Sequence, residues 1–212
     1  MCIGIALVYA AVSEAIDRGQ LLSGGARGAA GLVLAGSAFA LAPAVAHADT
    51  PSDNDLAYAR LLVTIELLAL DFYSAAISSR HFHGVALTGL RRARADEAKH
   101  RDAAAAVLTS AGQVPPVAGD VDFSYPRGSF ASRASIARLG ARLESLFLGA
   151  YLGAVEGYEA NALKQSAARA AASEAQHLSV FTAEARGERL GPAFPKALAI
   201  DRVSNALDRF TS

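Results

Sequence analysis

The sequence predicts an all-α protein: a bundle of two repeated helical hairpins joined by a long crossover, with a short helix at the C-terminal end. Three observations carry that prediction. Glu97-Ala98-Lys99-His100 recurs 77 residues later as Glu174-Ala175-Gln176-His177. Upstream of each copy, an apolar run carries a lone glutamate and a tyrosine seven residues after it, Glu66 with Tyr73 and Glu144 with Tyr151. The gaps between glutamates are nearly equal, 31 residues from Glu66 to Glu97 and 30 from Glu144 to Glu174. The order Glu, Tyr, Glu-x-x-His is therefore written twice, which core packing alone does not require.

Taken in order, Asp49 to Asp55 is a polar lead in which Ser52 or Asp53 is placed to cap a helix. The first helix is expected from about Leu56 to Ser79. It is apolar on nearly every side and about long enough to span a bilayer, but Arg60, Glu66 and Asp71 argue for the central helix of a bundle instead. The polar, glycine-terminated stretch Ser78-Ser79-Arg80-His81-Phe82-His83-Gly84 suits a turn and lies midway between Glu66 and Glu97. His81 and His83 at this tip read as surface histidines. The second helix is expected over about Val85 to Ser110, with Arg91, Arg92, Arg94, Lys99 and Arg101 forming a solvated basic face.

Gly112 to Ser132 is a long connection containing Pro115, Pro116, Gly119, Pro126 and Gly128. Its Asp122-Phe123-Ser124-Tyr125-Pro126 segment is expected to pack on the bundle through its aromatics. Long loops are uncommon without a task, and here the task is to connect two hairpins expected to run parallel. The third helix is expected over about Ala134 to Tyr158 and the fourth over about Ala162 to Ala185, with Gly157 and Asn161 interrupting the run between them. Arg186-Gly187 ends the fourth, and Gly191-Pro192 and Phe194-Pro195 keep the next stretch extended. Val203, Leu207 and Phe210 mark a short fifth helix within Ile200 to Phe210.

Side chains three residues apart on a helix share a face, so each Glu-x-x-His presents a carboxylate and an imidazole side by side. Each hairpin sets its lone glutamate level with its own Glu-x-x-His. Two hairpins packed face to face gather four carboxylates and two imidazoles, the donor set of two-metal carboxylate bundles. Glu156 is a tempting alternative, but it lies 12 residues beyond Glu144, roughly 18 Å along a helix, near the hairpin tip. An unpaired buried charge is strongly disfavoured, and metal coordination would offset the cost of Glu66 and Glu144 inside apolar runs.

Over about residues 54 to 188 the pattern Glu, Glu-x-x-His, Glu, Glu-x-x-His resembles the ferritin-like superfamily of di-iron and di-manganese four-helix bundles. The resemblance implies metal ligands at Glu66, Glu97, His100, Glu144, Glu174 and His177, with Glu97 and Glu174 bridging and Glu66 and Glu144 terminal. It matches Tyr73 and Tyr151 to tyrosines that follow the terminal glutamates, to orient ligands or act as one-electron donors in catalysis. It places Asp96 as a partner of the opposite ligand histidine; Ser173 holds the equivalent place in the second copy. The implied cofactors are two iron ions, or alternatively two manganese ions. The implied substrates are Fe(II) with O2 or H2O2, for an oxidoreductase of ferroxidase, peroxidase or manganese-catalase type acting in stress protection. The alternative is a helical bundle that holds metal, or merely scaffolds, without turnover. A homo-dimer is compatible with the pattern.

Composition narrows the classes. Twenty basic and twenty acidic residues leave no net charge, and without a basic stripe nucleic-acid binding has no support. The single cysteine, Cys2, rules out an intramolecular disulfide and a four-cysteine iron site, and Met1 as the sole methionine leaves none for haem ligation. Residues 1–48 read as an export signal or N-terminal extension, 49–188 as the bundle, and 189–212 as a tail. In the first segment a basic residue, Arg27, precedes a glycine-rich apolar run, and Ala46-His47-Ala48 gives a small-x-small cleavage signature. Asp17-Arg18-Gly19-Gln20-Leu21-Leu22 resembles a twin-arginine signal with Gly19 in place of the second arginine. The expectation is export by a twin-arginine-like or general secretory route, with membrane association only through an uncleaved N-terminus.

Overall fold

The computed structural model describes residues 50–187 and 191–211, all within one compact unit, Leu41–Ser212. The expected export signal over 1–48 lies outside the described residues. Among the described residues five α-helices form: α1 Asp53–Ser78, α2 Gly84–Ser110, α3 Arg133–Gly157, α4 Asn161–Arg186 and α5 Ile200–Leu207. The described residues hold no strand beyond an isolated antiparallel bridge, Phe123 to Thr211.

Local chemistry sets the helix ends. Ser52 caps α1 in a reciprocal box: its hydroxyl accepts from the Asp55 amide at 3.2 Å, and the Asp55 carboxylate accepts from the Ser52 amide at 3.3 Å. The helix starts three residues before the expected Leu56 because Asp53 and Asp55 favour its positive N-terminal end. Arg80, at φ 61°, turns the chain out of α1. Phe82 then tucks into the bundle end, with the Arg133 guanidinium 5.2 Å over its ring. Ser132 and Ser135 form a second capping box at the start of α3, and Gly187, at φ 74°, closes α4.

α1 is the central helix. Its length and mean hydropathy of 1.7 would let it cross a membrane, yet 61 % of that apolar window is buried inside the bundle. α2 packs on α1 and α4 on α3, and α1 meets α3 across the middle, while the α2 and α4 backbones stand further apart.

The second hairpin is inverted relative to the first, which corrects the expectation of parallel repeats. The end of α3 lies beside the start of α1: Asn54 donates to the Gly157 carbonyl at 2.6 Å, and Asp55 accepts from the Glu159 amide at 2.7 Å. Arg133, at the start of α3, sits instead by Phe82 at the far end. α1 and α3 are therefore antiparallel. The crossover must run the length of the bundle, about 39 Å for a 26-residue helix, and its long extended stretch has the reach to do so.

The crossover is pinned on its way. Tyr125 donates to Asp71 at 2.8 Å and meets the Phe130 ring edge-on at 5.1 Å, and the Ser124 amide donates to the Phe210 carbonyl at 2.8 Å. The expected aromatic packing of Asp122–Pro126 is thus present. Further along the tail, the Leu198 amide donates to the Gly149 carbonyl on α3 at 2.8 Å. A Cβ on Gly153 would stand 1.9 Å from the Leu198 carbonyl oxygen, a backbone atom that cannot rotate aside. Gly153→Ala is therefore expected to lift the tail from α3 and lower the Tm by several degrees with helix content intact. Thermal unfolding followed by circular dichroism, with proteolysis of the tail, checks this; an unchanged Tm and an uncut tail would contradict the packing argument.

Candidate metal centre

Four helices each contribute to one cluster at the middle of the bundle: Glu66 and Tyr73 from α1, Glu97 and His100 from α2, Glu144 and Tyr151 from α3, Glu174 and His177 from α4. All four carboxylates are at most 1 % exposed. Only the imidazoles reach solvent, with side chains 15 % exposed at His100 and 10 % at His177.

Donor atoms converge in two overlapping groups, each with its atoms within 4.8 Å of one another: Glu66, Glu97, His100 and Glu174, then Glu97, Glu144, Glu174 and His177. Glu97 and Glu174 belong to both. Nδ1 of His100 lies 2.9 Å from Glu174, 3.2 Å from Glu97 and 3.7 Å from Glu66. Nδ1 of His177 mirrors it at 2.9 Å from Glu97, 3.5 Å from Glu174 and 3.8 Å from Glu144. Each imidazole thus reaches across to the other hairpin's Glu-x-x-His, and the inverted repeat becomes a pseudo-twofold site.

The tyrosines cross in the same way. Tyr73 donates to Oε1 of Glu144 at 2.5 Å, and Tyr151 donates to Oε1 of Glu66. Burial pushes both phenols well above their ordinary range, and the facing carboxylates push them further, so both stay protonated and donate. One oxygen of each outer glutamate is occupied and the other, Oε2, is left without a hydrogen-bond partner.

The unpartnered atoms test whether the residues suit a metal. Oε2 of Glu66, Oε1 of Glu97, Oε2 of Glu144, both oxygens of Glu174 and Nδ1 of His177 are buried with no hydrogen bond. Several lie near one another but out of line for one. Native proteins rarely leave such atoms unsatisfied. Here they share one cluster and one chemistry, hard carboxylate oxygens with imidazole nitrogens, which suits first-row divalent ions. The charges agree: four carboxylates with two neutral imidazoles balance two divalent ions. The residues fit.

Protonation in the metal-free cluster shows the same strain. Burial first, then the charge of Glu97 and Glu174, raises Glu66 well above the carboxylate range, and Glu144 behaves alike. Burial also pushes Glu174 up, but His100 and His177 outweigh it and hold its carboxyl at about 2. Burial lowers the imidazoles, yet Glu174 and Glu97 overcome that and raise His100 to about 9 and His177 to about 11.

All six residues expected as ligands meet in this cluster, and both tyrosines line it. Asp96 does not. Its carboxylate accepts from Lys99 at 2.8 Å, and no hydrogen bond or ion pair joins it to either histidine. The reason is positional: beside Glu97 on the helix it points away from the bundle axis, where Lys99, three residues on, neutralises it. His81 and His83 are exposed, as expected, and Glu156, set aside as a ligand, is exposed at the end of α3. The sequence reading passed over Phe181 and Gly140. The Phe181 ring packs 5.8 Å from Tyr73 in the space Gly140 leaves, where a Cβ would come within 2.6 Å of it. The signal was present, since they lie four residues after His177 and four before Glu144.

Fold and cluster together define a four-helix bundle whose buried carboxylate and histidine cluster can hold metal. The model of the ferritin-like domain family matches residues 54–186, more than half of the chain, and the chain belongs to that family. No curated protein matches the chain.

Proposed function

We propose that this protein holds two iron ions and oxidises Fe(II) with O2 or H2O2. The observation that carries the proposal is the sharing of Glu97 and Glu174 between two donor groups, with buried oxygens that make no hydrogen bond. Glu66 and His100 would hold one ion, Glu144 and His177 the other, and Glu97 and Glu174 both. When bound, the iron pair supplies two one-electron oxidations at adjacent positions, matching the two electrons that peroxide takes up with two protons to give water.

The chain's own residues prepare the site. Tyr73 and Tyr151 act as positioning residues: each fixes Oε1 of one outer carboxylate and leaves Oε2 for the ion. The pinned crossover and tail cover α1 and α3. Of the cluster's ligand side chains the two imidazoles are the most exposed, which favours them as the way in from solvent. The small-x-small signature before Asp49 supports export of the mature chain.

Elemental analysis and ferrous-oxidation kinetics of the purified protein test this. About two iron atoms per chain, oxidation driven by O2 or H2O2, and loss of both in Glu97→Ala are the expected results. Two manganese ions would redirect the reading to peroxide disproportionation, and an unchanged rate in Glu97→Ala would leave a scaffold. An intact mass beginning at Asp49 supports export, and an uncut chain in the cytoplasm counts against it.

A further inference from the structure

The basic face of α2 divides into two groups. Lys99 and Arg101 lie against Asp96 and Asp102, at 2.8 Å and 2.6 Å. Arg91, Arg92 and Arg94 have no carboxylate within ion-pair distance among the described residues. Residues 72–95 hold four arginines, two histidines and no acid. The acids on either side are engaged elsewhere: Asp71 accepts from Tyr125, and Asp96 from Lys99.

Two of these arginines share a built surface. Arg91 and Arg94, three residues apart on one face of α2, line an open cleft of about 370 Å³ with Ser74, Ile77 and Ser78 of α1. Arg94 is fixed in it. Its Nε donates to Oγ of Ser74 at 2.8 Å, and that hydroxyl donates to the Leu70 carbonyl at 2.5 Å. A guanidinium held by Nε keeps its two terminal nitrogens for an oxyanion, which they grip side by side. Arg91 and the Ser78 hydroxyl make no hydrogen bond among the described residues. The C-terminal end of α1 draws cations to this corner, yet two like charges one turn apart repel. An anion between them removes that cost.

The internal repeat shows that the fold does not need these residues. Ser74 is eight residues after Glu66, and Leu152 holds that place after Glu144. Arg91 and Arg94 stand six and three residues before Glu97, where the second copy has Ala168 and Ala171 before Glu174. Ser78 corresponds to Glu156, a residue that would repel an anion. The same hairpin is thus built once with small and apolar residues, and once with an arginine pair and hydroxyls.

We propose that this cleft binds a phosphate group, with Arg94 gripping two oxygens, Arg91 balancing the second charge and Ser78 donating to a third oxygen. Phosphate carries close to two negative charges at neutral pH, matching two guanidinium groups, and arginine forks suit its geometry. The cleft is open, so a substituent on the phosphate extends into solvent. Free inorganic phosphate and a phosphomonoester lipid headgroup present the same chemistry to it. The site is independent of the metal centre.

Calorimetric titration of the full chain with inorganic phosphate, at constant ionic strength, tests this beside flotation with phosphatidylcholine vesicles containing phosphatidic acid. Saturable binding with a Kd on the order of 1 mM or tighter is expected in at least one arm. Arg91→Gln and Arg94→Gln are each expected to weaken it by about tenfold or more. Arg92→Gln removes the same charge from the same helix outside the cleft, and is expected to change binding less than about twofold. All three side chains are exposed, and circular dichroism confirms that the variants fold. Uptake of soluble phosphate without vesicle capture identifies a free ligand, and capture that depends on the same two arginines identifies a headgroup. No saturable binding in either arm, or binding that survives in both cleft variants, would overturn the proposal. An Arg92→Gln loss as large as theirs would do the same, since it would mark diffuse attraction to a basic surface.

Discussion

Glu66→Gln is expected to raise the Tm of the metal-free protein while cutting its metal capacity. Glu66 is 1 % exposed, and its carboxyl is raised far above the usual range, chiefly by burial and then by the charges of Glu97 and Glu174. At neutral pH the metal-free fold therefore either carries a desolvated charge among like charges or takes up a proton to avoid it. Glutamine removes that cost. Its carbonyl still accepts from Tyr151, and its amide can donate to the unpartnered oxygens of Glu97 or Glu174.

Replacing a buried ion pair by neutral groups of similar volume is neutral or stabilising by about 1–4 kcal/mol. Neutralising Glu66 among like charges is expected to act in the same direction, at roughly 2–4 °C per kcal/mol for a chain of this size. With metal added, the order inverts. Ligand binding stabilises only the folded state, and the variant has lost one donor. Glu144→Gln should behave alike, whereas Glu156→Gln, exposed near the far end of α3, should move neither Tm nor metal content. Melts with chelator and with excess divalent ion check the pair of signs. A Glu66→Gln protein less stable than wild type without metal would show that the carboxylates are not held at a cost to stability.

The second large effect is an opposite pH dependence of the metal-free and metal-loaded proteins. In the metal-free fold, His100 and His177 titrate at about 9 and about 11 against an ordinary 6.5. Groups raised on folding give stability that is fully present below 6.5 and lost as pH climbs through those folded values. Glu66 and Glu144, also raised, act with the same sign above 4.5, since the unfolded chain releases their protons first. Glu174 has the other sign. Held at about 2, it stabilises above 4.5 and is lost only as pH falls toward 2.

From pH 6 to 9 the metal-free protein should therefore become steadily less stable. Metal binding requires neutral imidazoles and ionised carboxylates, so it expels protons and strengthens over the same range. The Tm gap between chelated and loaded samples should widen with pH. Melts at pH 6, 7.5 and 9 measure it, and a gap that narrows would mean that the imidazoles are not the groups displaced by metal.

What the sequence by itself determined are the features that live on a single helix. Three-residue spacing places Glu97 beside His100 and Glu174 beside His177 whatever the surroundings, because helical periodicity is local. Seven-residue spacing likewise sets Tyr73 and Tyr151 on the faces of Glu66 and Glu144. Helix ends follow from caps and glycines, and the observed ends fall within three residues of those expected. The buried glutamates were legible because apolar runs do not carry carboxylates without a reason.

Tertiary structure decided how the helices meet. A crossover as long as Gly112–Ser132 has the reach to return the chain to either end of the bundle, so nothing local chose between parallel and inverted hairpins. Inversion makes Tyr73 serve Glu144 and Tyr151 serve Glu66, each across the bundle. It sets Phe181 of α4 against Tyr73 of α1. These relations depend on contacts between residues far apart in sequence, where spacing along one helix carries no information and packing has the final word.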